Sequence, residues 1–76
     1  MKLTNFSTAD YSKAWACAET HAKELLDHGV APLFYSFSKS DFAAVEKRVG
    51  RSLRRCEQWD YVSLVRIASH RLCPNQ

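Results

Sequence analysis

The sequence is poor in residues that break regular structure, and it holds no long apolar run. Only two glycines and two prolines occur among its 76 residues, of which 46% are hydrophobic and 25% charged. This composition is typical of a globular chain rather than a disordered tail. No apolar run has the length of a membrane span, and residues 1–10 lack the apolar core of a signal peptide. We therefore expect no membrane segment and a cytoplasmic protein.

Cysteine is scarce as well. Cys17, Cys56 and Cys73 form an odd set without the spacing of a disulfide framework. Such a set is typical of free thiols in a reducing compartment, where a cysteine serves first as a small hydrophobic residue.

Catalytic signatures are also missing, since no glycine-rich phosphate loop, pair of catalytic carboxylates or cofactor fingerprint occurs. A chain of this size buries only about 60% of its unfolded surface, which leaves no room for a deep substrate pocket. Cys17 and His21 could act as a nucleophile pair only with a third orienting group and an oxyanion hole, and no motif marks either. We expect a protein that is not an enzyme and that uses no cofactor.

A zinc site is the alternative use of the cysteines and histidines. Cys17 and His21 are four positions apart and His70 and Cys73 three, so the two pairs could meet at one end of a helical bundle. Neither pair has zinc-finger spacing. The favoured interpretation is buried thiols and surface imidazoles, with no metal.

Helix signals are strong in the first part of the chain. Ser7 can cap a helix with Asp10 as its box partner, and apolar residues then recur at three- and four-residue steps. Gly29 suits the left-handed position that follows a helix. The pattern predicts a first helix over residues 8–28, followed by an extended apolar connector over 31–37, for which a β-strand pairing with another chain is the alternative.

Two further helices are predicted after the connector. Ser38 and Asp41 repeat the capping signal, and helical spacing then continues over 39–58, with a break at Gly50 and a restart capped by Ser52 as the alternative. Asp60 can cap a third helix over 61–72, with Trp59 stapled onto Leu64. The fold class is therefore all-α, a small three-helix bundle that forms a single domain over 1–76.

Positive charge is concentrated in the second half of the chain. Residues 1–38 carry three basic and four acidic side chains, whereas residues 39–76 carry eight and four. On a helix continuous through Gly50, most of the basic residues would share a face opposite the apolar stripe. This basic ridge consists of Lys47, Arg48, Arg51, Arg54 and Arg55. A solvated helix face is the plain interpretation, but arginine also binds carboxylates and phosphates in a bidentate manner.

These features favour a binding module. We expect the basic ridge, with Trp59 and Tyr35, to contact a protein partner that has an acidic surface, because arginine, tryptophan and tyrosine are the residue types that anchor interfaces. The connector and third helix hold more large apolar side chains than so small a core hides, which favours protein contact and allows a homodimer. Reversing Arg51, Arg54 and Arg55 to glutamate should then abolish partner capture while leaving folding intact.

The expected role is that of an inhibitor or adaptor. Compact domains without catalytic motifs are a type that phages and other mobile elements use against host machinery, as anti-CRISPR proteins do, although this comparison rests on no motif. The alternative is a nucleic-acid-binding domain in which residues 41–49 and 52–59 form a helix-turn-helix around Gly50 and the ridge contacts phosphates.

Overall fold

The computed structural model describes residues 5–72, most of which are helical. It has three α-helices, α1 (Thr8–Asp27), α2 (Ala43–Val49) and α3 (Arg55–Leu72), and two short 3-10 turns, Pro32–Phe34 and Lys39–Phe42. No β-strand occurs within residues 5–72. The all-α three-helix bundle is therefore confirmed. None of these helices is both long and apolar enough to cross a lipid bilayer.

The capping residues at both ends of α1 act as predicted. The Ser7 hydroxyl oxygen accepts a hydrogen bond from the Asp10 N–H at 3.2 Å. At the other end the Val30 N–H donates to Leu25 O at 2.8 Å and Gly29 adopts a φ of 74°, which is the arrangement of a Schellman motif. The side chain of Asp10 does not complete a capping box, because it is bonded to Arg51 instead.

A 3-10 turn interrupts the predicted extended connector. Pro32 is buried and starts that turn, whereas Ala31 before the turn and Tyr35 after it are extended, with φ and ψ of −78° and 122° and of −84° and 130°. A proline at the start of a turn needs no N–H partner, which explains why the apolar run bends here. The connector then leads into the second predicted cap, where the Asp41 carboxylate accepts from the Ser38 N–H at 2.6 Å.

The second predicted helix is broken at Gly50, as the alternative interpretation has it. Gly50 has a φ of 82° and donates its N–H to Glu46 O at 2.8 Å, which ends α2. The predicted restart at Ser52 is wrong, because α3 begins at Arg55 and includes the segment assigned to the end of the second helix. A side chain from inside α3 forms the cap, since Glu57 accepts from the Arg54 N–H at 3.0 Å.

The predicted start of the third helix is wrong for the same reason. Asp60 lies within α3 and is not its cap; its carboxylate accepts hydrogen bonds from the Asn5 N–H at 2.6 Å and from the Asn5 amide at 2.9 Å. Trp59, predicted to staple the helix start, is also inside α3 and is 65% exposed. The pattern places residues 55–58 in the second helix because Arg54, which precedes α3, is not one of the usual N-cap residues.

The core lies where α1 packs against both α3 and α2. Small side chains allow a close approach, since α1 buries Ala14, Ala18 and Ala22. Across from them Tyr61 of α3 is 1% exposed, and its ring lies 6.0 Å from that of Phe42. The connector packs along α3. This arrangement leaves one side of α3 facing the connector rather than another helix.

Replacing Gly50 by Ala is expected to lower the free energy of unfolding by about 1 kcal/mol, because an L side chain is strained in the left-handed region. No atom lies within 4 Å of the added Cβ, so the loss comes from the backbone alone. Urea unfolding measures it. Gly50→Asn is the control and should lose less, since asparagine tolerates this conformation. Equal stability of Gly50→Ala and the parent would contradict this account.

Candidate interaction surface

The structure distributes the predicted site residues over three places. The basic ridge was predicted to lie on one face of a single helix. Because α2 ends before Gly50 and α3 begins only at Arg55, that continuous face does not form. Lys47 and Arg48 lie on α2, whereas Arg51 lies in the connection between α2 and α3. The remaining residues, Arg54, Arg55, Trp59 and Tyr35, lie at the start of α3 or on the connector beside it.

Arg51 is exposed but is fully engaged in an ion pair. Its guanidinium donates to both carboxylate oxygens of Glu57, at 2.8 and 2.6 Å, and to Asp10 at 3.1 Å. Glu57 is 0% exposed. The hydrogen bonds from Arg51 outweigh the effect of burial and lower the pKa of Glu57 to about 2. Arg51 therefore stabilises the fold, and charge reversal at this position would remove the counter-ion of a buried carboxylate.

Arg54 takes a smaller part in this ion cluster. Its Nε donates to Glu57 at 3.3 Å, but its side chain is 68% exposed. The preceding N–H, that of Leu53, donates to the Glu46 carboxylate at 2.8 Å. Two carboxylates thus hold two adjacent main-chain amides and fix the direction in which α3 begins.

Lys47 and Arg48 line a wide groove of about 890 Å³ between α1 and α2. At its floor the His21 ring lies between two partners: Nδ1 is hydrogen-bonded to the Tyr61 hydroxyl at 3.1 Å, and Nε2 lies 3.4 Å from an Asp41 carboxylate oxygen. Burial raises the pKa of Asp41, but hydrogen bonds from the Ser38 N–H and the Tyr35 hydroxyl outweigh it and the pKa lies below its ordinary value. The carboxylate is therefore ionised and orients His21.

Cys17 lines the same groove but is not an activated nucleophile. Burial raises the pKa of its thiol, although the nearby Arg48 acts in the opposite direction. His21 contacts Tyr61 and Asp41 through its two nitrogens, so it does not serve as a base for Cys17. Within residues 5–72 no three His, Cys, Asp or Glu side chains are placed to hold a metal ion, and Cys73 lies outside the described residues.

A second groove lies between the connector and α3. It consists of two adjoining cavities, one of about 300 Å³ beside residues 31–34 and one of about 380 Å³ beside residues 35–37. Arg66 lines both cavities. We call this surface the aromatic–arginine groove and define it by Leu33, Phe34, Tyr35, Arg55, Trp59 and Arg66.

The aromatic–arginine groove exposes large apolar side chains. Phe34 is 84% exposed, Trp59 65% and Leu33 63%. Side chains of this size are costly to leave in water, at about 25 cal/mol per Å² of apolar surface. Adjacent exposed residues of this kind mark contact sites more often than isolated ones do.

The charge of this groove is of one sign. No acidic side chain of the described residues lines either cavity. Arg55 and Arg66 have no hydrogen-bond or ion-pair partner within residues 5–72. The carboxylates of α3 do not reach them, because Glu57 is bonded to Arg51 and Asp60 to Asn5. Two cations thus stand beside exposed apolar rings without neutralisation.

Three of the seven predicted residues, Tyr35, Arg55 and Trp59, come together in this groove. The other four lie outside it: Lys47, Arg48, Arg51 and Arg54. The sequence pattern missed Arg66, because it places residues 55–58 in a helix different from that of Arg66. Once α3 is known to begin at Arg55, the positions 55, 59, 62 and 66 fall on one helical face, which is a signal the sequence does contain.

The chain matches no protein-family model, no curated protein and no solved structure. The chemistry of its own surface is therefore the basis for a function.

Proposed function

We propose that the protein is a binding module without catalytic activity of its own, an inhibitor or adaptor that takes an acidic protein partner into the aromatic–arginine groove. The observation that carries this proposal is the combination of exposed Phe34 and Trp59 with Arg55 and Arg66, which have no ion-pair partner within residues 5–72. An apolar partner side chain gains burial there, and an acidic one gains a guanidinium contact.

The residue types support a protein as the partner. Tryptophan and arginine are enriched among interface residues whose truncation weakens binding most, and arginine at the rim steers an acidic surface into place. A domain that acts by covering a partner's surface needs no catalytic residue. This is the mode of action expected of the inhibitors that mobile elements direct against host machinery, and it is the form of the proposal that we favour.

Nucleic-acid binding is the second candidate. Lys47 and Arg48 have no ion-pair partner within residues 5–72, so they could contact phosphates from α2. A helix-turn-helix reader has less support, since α2 and α3 each pack mainly on α1 and make few direct contacts with each other. The exposed rings of the groove also favour an apolar contact over a phosphate backbone.

The test is capture from a nuclease-treated cell lysate with two matched charge variants. Arg55→Glu with Arg66→Glu reverses the cations of the groove, and Lys13→Glu with Lys23→Glu reverses two exposed cations of α1 that lie outside it. We expect the groove variant to retain a defined protein about tenfold less than the parent does, while the α1 variant retains it fully. Mass spectrometry quantifies the retained protein.

Thermal unfolding of both variants shows that folding is intact. Equal loss of the partner in the two variants would contradict the proposal and indicate a general charge effect. Retention of nucleic acid alone, falling steeply as salt rises, would instead support the second candidate.

A further inference from the structure

The main chain of residues 35–37 has unused hydrogen-bonding groups, and it begins and is followed by extended backbone, with φ and ψ of −84° and 130° at Tyr35 and of −107° and 173° at Ser38. The Tyr35 N–H donates to Pro32 O at 3.2 Å, and the Ser38 N–H donates to Asp41 at 2.6 Å. Between them, the N–H groups of Ser36 and Phe37 make no hydrogen bond within the described residues. An extended segment with unpaired amides is a template for another strand.

Side-chain contacts hold this short segment in place. The Tyr35 hydroxyl donates to Asp41 at 2.8 Å, and the Phe37 ring lies 5.3 Å from that of His21 and 5.0 Å from that of Tyr35. The segment is thereby ordered before any partner binds. Binding of a partner strand would therefore cost this protein little conformational entropy.

This segment forms one wall of the aromatic–arginine groove. Residues 35–37 line the cavity of about 380 Å³ opposite Arg55 and Trp59. Residues 31–34 line the other cavity opposite Arg66 and His70, so the connector runs along α3 in the opposite direction. A strand paired with Ser36 or with Phe37 would therefore follow the groove and place alternate side chains over it.

The spacing of the two cavities fits such a strand. The α3 residues that line one cavity are centred about eight positions along the helix from those that line the other. Eight positions correspond to about 12 Å along an α-helix. An extended chain covers that distance in about four residues, at about 3.3 Å per residue. Side chains four positions apart point to the same face of a strand, and the side chain midway between them also points to that face. Arg66, which lines both cavities, stands opposite that middle position.

We infer that the groove binds an extended acidic segment whose main chain pairs with Ser36 or Phe37. Two large apolar side chains, four positions apart, enter the two cavities, and a carboxylate midway between them binds Arg66. This inference rests on the proposed function and names the chemistry of the partner at the same site.

The probe is a capped heptapeptide with leucine at its second and sixth positions, glutamate at its fourth and serine elsewhere. We expect it to shift the indole N–H resonance of Trp59 and to slow hydrogen exchange at the Ser36 or Phe37 amide at least tenfold. The peptide with lysine in place of glutamate is the charge control. The peptide with N-methylated main-chain nitrogens is the pairing control, and both should bind at least tenfold more weakly.

Each contrary outcome has its own meaning. A Trp59 shift without slower exchange at Ser36 or Phe37 overturns strand pairing and leaves the proposed function standing. Equal binding of the glutamate and lysine peptides overturns the carboxylate contact with Arg66. No response to the glutamate peptide at millimolar concentration overturns the inferred motif, whereas the proposed function is decided separately by the capture of the partner with the Arg55 and Arg66 variant.

Discussion

Replacing Arg51 by Met is expected to unfold most of the protein at room temperature. The side chain of Met has a similar length but cannot neutralise Glu57, whose carboxylate is 0% exposed. Of the ion-pair contacts to Glu57, only the longer one from Arg54, at 3.3 Å, would remain. Breaking a buried ion pair destabilises a fold by about 3–5 kcal/mol. A single core of this size is stable by about the same amount. Circular dichroism with urea titration measures the loss.

Two variants serve as controls for this ion pair. Arg54→Met should remain folded, because that side chain is 68% exposed and makes only the longer contact to Glu57. Arg51→Met combined with Glu57→Leu removes both charges and should recover a large part of the stability lost in the single variant. A fully folded Arg51→Met protein would show that Glu57 finds another partner or takes up a proton at little cost.

Acid titration gives an independent readout of the same pair. The pKa of Glu57 falls from an ordinary 4.5 to about 2 in the folded chain, so its ion pair contributes stability above pH 4.5. That contribution is lost as the pH falls from 4.5 towards 2, since the unfolded state takes up the proton first. The combined Arg51 and Glu57 variant should lose less stability over this interval than the parent.

Replacing Trp59 by Ala is expected to weaken partner binding about 30-fold or more. A tryptophan at the centre of an interface contributes about 2 kcal/mol or more when it is buried by the partner, which corresponds to that factor. Folding should be unaffected because the side chain is 65% exposed in the isolated protein. Binding is measured by titrating the partner that the nuclease-treated lysate yields.

Ile67→Ala is the matched control for Trp59. Ile67 is also an exposed apolar residue of α3, but it lines neither cavity of the aromatic–arginine groove. It should change binding less than twofold. If Ile67→Ala weakened binding as much as Trp59→Ala, the partner would contact a different face of α3.

Local signals in the sequence were sufficient for the helices that begin and end with common capping residues. Ser7, Gly29 and Asp41 each act on main-chain groups within a few residues, so their roles can be derived without knowing the rest of the fold. The bounds of α1 follow from such contacts. The left-handed conformation of Gly50 can also be derived from the local sequence, since only glycine adopts this conformation readily.

The start of α3 depends on interactions that a local pattern does not contain. Glu57 is buried only because Arg51 folds back onto it and Asp10 approaches from α1. A charged residue in the sequence is ordinarily taken as exposed, so the pattern indicates a basic ridge that includes Arg51 and gives no sign that Glu57 is buried. The expectation that Arg51 tolerates reversal had the same origin.

The candidate site was predicted in part for a related reason. Tyr35, Arg55 and Trp59 were selected by residue type, which does not depend on the bounds of a helix. Their common location, and the place of Arg66 among them, depend on α3 running unbroken from Arg55 beside the connector. That tertiary arrangement brings residues about thirty positions apart into one groove, which spacing along the chain does not reveal.

The connection between α2 and α3 has the composition of a place where a chain tolerates insertion, since it is preceded by glycine and, apart from the buried Leu53, is polar and exposed. The hydrogen bonds of this connection nevertheless argue against tolerance of an inserted residue. The adjacent N–H groups of Leu53 and Arg54 are bound by carboxylates from the two flanking helices, Glu46 and Glu57. One inserted residue would separate an amide from its acceptor and draw Arg51 away from Glu57. The length of this loop is therefore fixed, and an epitope tag or a circular-permutation cut placed here would act as a destabilising mutation.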